Sequence, residues 1–366
     1  MGARKSAHIL GVILTLMILC AAFPSSSEAK KKRHVYSPPQ AAMVVDGYSG
    51  EILYSSNADE PRYPASVTKV MTLYLLFEQI RDGHMTFKTP LKVSAKAASR
   101  PPSKLGLKPS STISVHDAVY ALVTKSANDV AAVVAENIAG SETAFARMMT
   151  QKARAIGMTK TTYRNASGLP NSKQVTTARD LITLGRRMRT DFPKLSKVFS
   201  TRYFTYGKRK FRNHNRLLFS YSGMEGLKTG FTRASGFNLL ASCRREDKYL
   251  IAVVLGGRSG KARNARMQTL LDRSWVKAVA LKTYKKSNPI AIAGVVHDDD
   301  NLPERNPAFH DVDLGPEIEI SEEEIAEIKL AMAEQDNAEP VVEQEEAAPV
   351  RATALPVKVI ISNPEP

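Results

Sequence analysis

Three short patterns in this chain could do chemistry together. In Ser66-Val-Thr-Lys69 a serine is followed three positions later by a lysine. On a helix that spacing puts both side chains on one face, about one turn apart. The run at 67–80 is apolar on nearly every side, the pattern of a buried central helix. A lysine desolvated there loses proton affinity and can accept the serine proton. The helix N-terminus offers free N–H groups and a positive dipole end to a developing oxyanion. Ser126-Ala-Asn128 lies in a polar break between Leu122 and Val130. Its hydroxyl could pass a proton between Lys69 and a leaving amine, while Asn128 could hold a substrate amide. Lys228-Thr-Gly230 sets an amine beside a hydroxyl, which suits a terminal carboxylate. Gly230 removes a side chain where substrate backbone would approach. Taken singly, each pattern is better read as a helix cap, a polar loop or a turn; Ser27 to Lys30 repeats the first spacing with no chemical meaning.

The elements that must position these residues are legible in outline. Residues 41–45 and 51–55 read as two strands joined by a turn from Asp46-Gly47 to Gly50. Helical spacing predicts helices at 116–138, 141–156 and 176–188, the last with Thr176 and Thr177 available as N-caps. Short strands are expected at 203–206, 226–231, 237–243 and 249–255, then a long helix at 262–281. If the first hairpin joins the late strands, the domain at 41–284 is an α/β protein of the α+β kind. It would have one mainly antiparallel sheet with helices packed on its faces. No internal repeat is visible.

The order of the patterns weighs more than any one of them. Serine–lysine is followed 60 residues on by Ser-x-Asn and 102 residues further by Lys-Thr-Gly. That is the ordered triplet of active-site-serine penicillin-interacting enzymes. Over residues 36–284 the chain resembles the low-molecular-mass D-alanyl-D-alanine carboxypeptidases, serine peptidase family S11, relatives of the serine β-lactamases. Longer strings carry the likeness: Pro64-Ala-Ser-Val-Thr-Lys69, Asn165-Ala-Ser-Gly-Leu-Pro170, Asn213-His-Asn-Arg-Leu-Leu218 and Gly226-Leu-Lys-Thr-Gly-Phe-Thr232.

The resemblance implies a β-lactamase/transpeptidase-like fold and trimming of peptidoglycan stem peptides that end in D-Ala-D-Ala. Ser66 would be acylated, with Lys69 as base and Ser126 relaying protons. Asn128 would bind the peptide, and the N–H groups of Ser66 and Phe231 would form the oxyanion hole. Lys228 and Thr229, beside Gly230, would bind the terminal carboxylate. Arg263 from the last helix would join them, with Arg258 as the alternative. β-Lactams are expected as covalent inhibitors, and no cofactor or metal is expected. His214 reads as structural. The rival readings are a D,D-endopeptidase or transpeptidase, a β-lactamase, and a non-catalytic penicillin- or wall-binding protein. A class A β-lactamase needs a deacylating glutamate, and Glu136, Glu142 and Glu225 stand in no recognisable setting for one.

Charge divides the chain. Residues 291–366 hold 4 Lys/Arg and 19 Asp/Glu, while the preceding 290 hold 48 and 17. A body so basic attracts polyanions, either nucleic acid or the anionic cell envelope. The N-terminus decides for the envelope. Arg4 and Lys5 precede an apolar run at 9–23 and then Ser27-Glu28-Ala29, the order of a secretory signal. Cleavage is expected after Ala29, leaving a basic leader at 30–40 and an exported, periplasmic or membrane-facing enzyme with no nucleic-acid partner. An uncleaved anchor is the alternative, though the run falls short of the ~20 residues a spanning helix needs. The segment at 285–366 is expected to be disordered, and its charge is wrong for gripping anionic lipid. It could instead fold back on the basic body; membrane association is left open. Once the signal is removed, Cys243 is the only cysteine, expected as a buried small residue with no disulfide.

Overall fold

The computed structural model describes residues 37–287. The expected signal, most of the leader and the acidic segment beyond 287 lie outside the described residues. In chain order the strands β1 (Ala41–Asp46) and β2 (Ile52–Ser56) precede helix α1 (Lys69–Arg81). Then come β3 (Pro90–Lys92), β4 (Thr112–Ser114) and four helices: α2 (Val115–Val123), α3 (Asn128–Ala139), α4 (Glu142–Ala155) and α5 (Ala178–Asp191). A hairpin of β5 (Tyr203–Tyr206) and β6 (Arg209–Arg212) leads into β7 (Met224–Thr232), β8 (Gly236–Arg245), β9 (Lys248–Gly257) and helix α6 (Gly260–Trp275).

The first hairpin does join the late strands. The central sheet runs β2-β1-β9-β8-β7, antiparallel throughout. Strand periodicity sorts its side chains into two cores. Met43, Val45, Leu240, Ile251, Val253 and Leu255 face the core shared with α1 to α5. Ala42, Val44, Leu239, Ala241, Leu250, Ala252 and Val254 face a smaller core closed by Met267, Leu270 and Leu271 of α6. Cys243 is buried in that second core. Burying a Leu, Met or Phe in this way contributes ~1.5–3 kcal/mol each relative to exposure. Helix α1 carries nine buried residues, Lys69 to Phe77, and so runs through the larger core.

Several bounds shift by one to three residues, and three of the expected helices differ in kind from the sequence reading. The expected helix at 116–138 is two helices. Thr124 Oγ1 turns back on Tyr120 O at 2.7 Å, and Ser126 takes a left-handed φ of 60°, which no continuous helix accommodates. The expected helix at 67–80 opens with a 3₁₀ turn, Ala65–Thr68, before α1 proper. The last helix stops at Trp275, and a separate short helix follows at Leu281–Ser287. Thr177 caps α5 as expected, its side chain accepting from Asp180 N at 3.1 Å.

Candidate active site

Ser66 lies in the 3₁₀ turn at the head of α1, and Lys69 is the first residue of α1 proper. Their spacing brings Lys69 Nζ to 3.1 Å from Ser66 Oγ. Ser66 is half-buried, open to the cleft, and Lys69 is fully buried. Two further contacts fix the amine: Asn128 Oδ1 and the Ser167 carbonyl oxygen each accept from it at 2.7 Å. Both are obligate acceptors, whereas the serine hydroxyl can donate. A neutral amine has two N–H bonds and one lone pair, which matches this set: N–H to Asn128, N–H to Ser167, and the lone pair for the serine proton.

The electrostatics point the same way. Burial, and then the charge of Lys228, hold the Lys69 pKa well below the usual lysine range, against the opposing pull of Asp129 and Glu142. Glu142 is engaged elsewhere, by Arg100 and by the Ala166 amide at 3.0 Å. Asp129 accepts the amides of Leu105, Gly106 and Leu107 at 2.9, 2.8 and 3.1 Å. These two buried carboxylates hold the cleft's walls, and neither is bonded to the amine.

The second wall is the break between α2 and α3. Asn128 reaches Pro101 O through Nδ2 at 2.9 Å and Ser103 O through its backbone amide at 2.7 Å. Its amide orientation is therefore set by partners on both sides. Ser126 is buried, and its Oγ has no hydrogen-bond partner among the described residues. A buried free hydroxyl costs ~1–3 kcal/mol in ordinary structural terms. The left-handed backbone at this residue adds strain, the combination found where a side chain is held for use.

The third wall is β7, the edge of the sheet. A Cβ on Gly230 would sit 2.9 Å from Ser66 N and 3.0 Å from Pro64 O, so only glycine lets the strand press against the backbone at Ser66. Lys228 is buried, and Thr229 nearly so. Burial, and then the charge of Arg263, bring the Lys228 pKa down to about 7. Phe231 packs on Phe237 with ring centroids 4.2 Å apart and the planes tilted by 32°. Arg263 is buried, donates to Asn238 O at 2.6 Å and leaves Nε without a partner among the described residues. Arg258 is exposed. Lys69, Lys228 and Arg263 take part in none of the ion pairs among the described residues. Lys228 and Arg263, buried cations without carboxylates, are what an anion-binding site requires.

Sequence reasoning gave no role to the loop at 165–170. Its Ser167 carbonyl holds Lys69, and its Ala166 carbonyl accepts from Thr72 Oγ1 at 2.6 Å. Gly168, at φ +87°, passes so close to Ala65 that a Cβ would meet its carbonyl oxygen at 2.0 Å. The string Asn165-Ala-Ser-Gly was the available signal, since Asn165 Oδ1 accepts from Gly168 N at 2.7 Å in a side-chain turn. In Asn213-His-Asn215 both asparagines are buried and bonded to backbone, while His214 is exposed. Among the described residues no three His, Cys, Asp or Glu side chains converge.

The fold is that of the penicillin-interacting serine enzymes, and the cleft holds a serine–lysine pair. The family model for D-alanyl-D-alanine carboxypeptidase matches residues 28–259, and the chain belongs to that family of serine peptidases. It is 30% identical over 301 residues to D-alanyl-D-alanine carboxypeptidase DacA of Escherichia coli, covering 78% of this chain and 73% of the relative. Penicillin binding protein 5 from Haemophilus influenzae superposes with a TM-score of 0.62 at 31% identity, over 66% of this chain and 71% of that one. Penicillin-Binding Protein D2 from Listeria monocytogenes, in its ampicillin-bound form, gives a TM-score of 0.56 at 31% identity, over 64% and 96%.

Proposed function

We propose that the enzyme removes the terminal D-Ala from peptidoglycan stem peptides through an acyl-enzyme on Ser66. The substrate's C-terminal carboxylate binds Lys228, Thr229 and Arg263, and its backbone lies along the free edge of β7, as an added strand would. Lys69 takes the serine proton as Oγ bonds to the penultimate D-Ala carbonyl carbon. The oxyanion forms against the N–H groups of Ser66 and Phe231. When the C–N bond breaks, the proton passes by way of Ser126 to the departing amine. Water then attacks the ester, and Ser66 is regenerated. Asn128 serves twice, orienting Lys69 and holding the peptide. A β-lactam enters by the same route and acylates the same serine. The single observation that supports the reading best is the buried Lys69 amine, with two acceptors and one hydroxyl around it.

The segment at 1–29 would export the protein, so that it acts on the extracytoplasmic side. Among the described residues no helix is long and apolar enough to cross a membrane.

Rates on three substrates test the proposal: a D-Ala-D-Ala pentapeptide, a cross-linked peptide dimer and benzylpenicillin. The pentapeptide should turn over fastest, and penicillin should label stoichiometrically and leave slowly. Fastest turnover of the dimer would make the enzyme an endopeptidase. Rapid penicillin hydrolysis would make it a β-lactamase, and absence of acylation a binding protein.

A further inference from the structure

Between Asp191 and Glu225 the sequence contains eight lysines and arginines and not one acidic residue. The β5–β6 hairpin lies inside this stretch and forms a two-stranded sheet separate from the central one. Lys194, Lys197, Lys208, Arg209 and Lys210 are all exposed. Among the described residues, every ion pair lies outside the stretch's eight cations. Aromatic rings hold several of them instead. Lys210 lies 4.9 Å from the Tyr203 ring centroid, Arg209 5.0 Å from Phe211, and Arg212 4.2 Å from Phe219. Cation–π contact positions a charge without neutralising it, so the surface keeps its field. Two acids, Asp117 and Asp129, are felt at Tyr206; Asp117 is in contact with His116 Nδ1 at 3.0 Å and Asp129 is taken up by the amides of 105–107. None of these cations is a member of the Ser66, Lys69, Ser126 and Lys228 cluster.

We propose that this basic stretch, the β5–β6 hairpin together with Lys194 and Lys197 ahead of it, is the docking surface for the chain's own acidic segment, residues 291–366. Charge complementarity is the first argument, because that segment carries 19 Asp/Glu against 4 Lys/Arg. Reach is the second. A chain spans up to ~3.3–3.6 Å per residue, and a domain of this size has a radius of gyration near ~18 Å, so no point on the body lies too far from Ser287. Tethering is the third. A covalently linked partner acts at an effective concentration on the order of mM, which a free wall polymer or lipid headgroup must exceed to displace it. The consequence is local to the cleft. Arg209 donates to Leu105 O at 3.3 Å, on the loop that Asp129 holds beside Asn128, so a docked segment borders the substrate's approach.

Zero-length carbodiimide cross-linking of the full chain, read by peptide mass spectrometry, tests this directly. At about 0.01 M salt, links from acids of 291–366 should concentrate on Lys194, Lys197, Lys208 and Lys210. Exposed Lys88, Lys96, Lys173 and Lys261 serve as internal controls. The links should vanish at about 1 M salt, where the Debye length falls to ~3 Å. Small-angle scattering gives a readout independent of lysine chemistry. The radius of gyration of the native chain should rise with salt. The quadruple variant K194E/K197E/K208E/K210E should already show the high-salt value while still labelling with fluorescent penicillin. Links spread evenly over all exposed lysines, or a variant whose salt response equals that of the native chain, would overturn the proposal. So would native protein that binds phosphatidylglycerol vesicles through these four lysines at low salt, since the patch would then be open to an external polyanion.

Discussion

At the scale of single residues, the account turns on two lysines whose charge states must differ from the ordinary. Lys69 has to be neutral to act as base, and its lowered pKa makes that state accessible. Lys228 has to be charged to bind a carboxylate, yet its pKa in the free enzyme is brought down to about 7. The pH profile follows from these signs. Activity should rise as pH climbs through the Lys69 pKa, and it should fall as Lys228 loses its proton, the fall appearing in KM. Arginine stays charged throughout, so Lys228→Arg should move the falling limb upward while leaving the rising limb in place. A falling limb unmoved in that variant would remove Lys228 from carboxylate binding. Lys228→Ala should lower kcat/KM by ~10–100-fold, the worth of a charge-assisted hydrogen bond.

At the scale of elements, three pieces of chain meet at Ser66: the head of α1, the α2–α3 break and the β7 edge. The 165–170 loop locks them together. Gly168→Ala should destabilise the protein by more than the ~1–3 kcal/mol of backbone strain alone, because its Cβ would strike the Ala65 carbonyl. Penicillin acylation should fall with it. Denaturant unfolding and labelling rate, measured together, check this; unchanged values for both would show that the loop does not set the nucleophile. The three motifs were legible in the sequence because each is contiguous and its residue types name the chemistry. The sheet was legible because β1, β8 and β9 alternate or run apolar. The Ser167 carbonyl was not, since a backbone acceptor leaves no mark in residue type. Nor was the left-handed turn at Ser126, which serine does not advertise as glycine does. β3 and β4, at three residues each, are too short to show a period, and the grip of Asp129 on 105–107 spans 22 to 24 positions of sequence.

At the scale of the whole molecule, the site opposes stability. Lys69 and Lys228 both release protons on burial, so the unfolded chain binds more protons than the folded one. These two lysines should therefore add stability as pH rises from about 7 toward the free-lysine value of ~10.4. The buried Cys243 thiol and the Tyr163 and Tyr249 phenols, whose pKa values burial raises, work the other way above about 9. Lys228→Met should be more stable than the native protein near neutral pH and show a shallower slope over that window, at the cost of substrate binding. Unfolding curves at several pH values decide this, and an identical slope in the variant would contradict it. The central claim, that Ser66 is the nucleophile of a D-Ala-releasing reaction, is tested most directly by quenching a single turnover of a D-Ala-D-Ala peptide and mapping the acyl group. The account predicts free D-Ala in step with an ester on the peptide that contains Ser66, both absent in Ser66→Ala. D-Ala release that persists in Ser66→Ala, or an acyl group on any other residue, would contradict it.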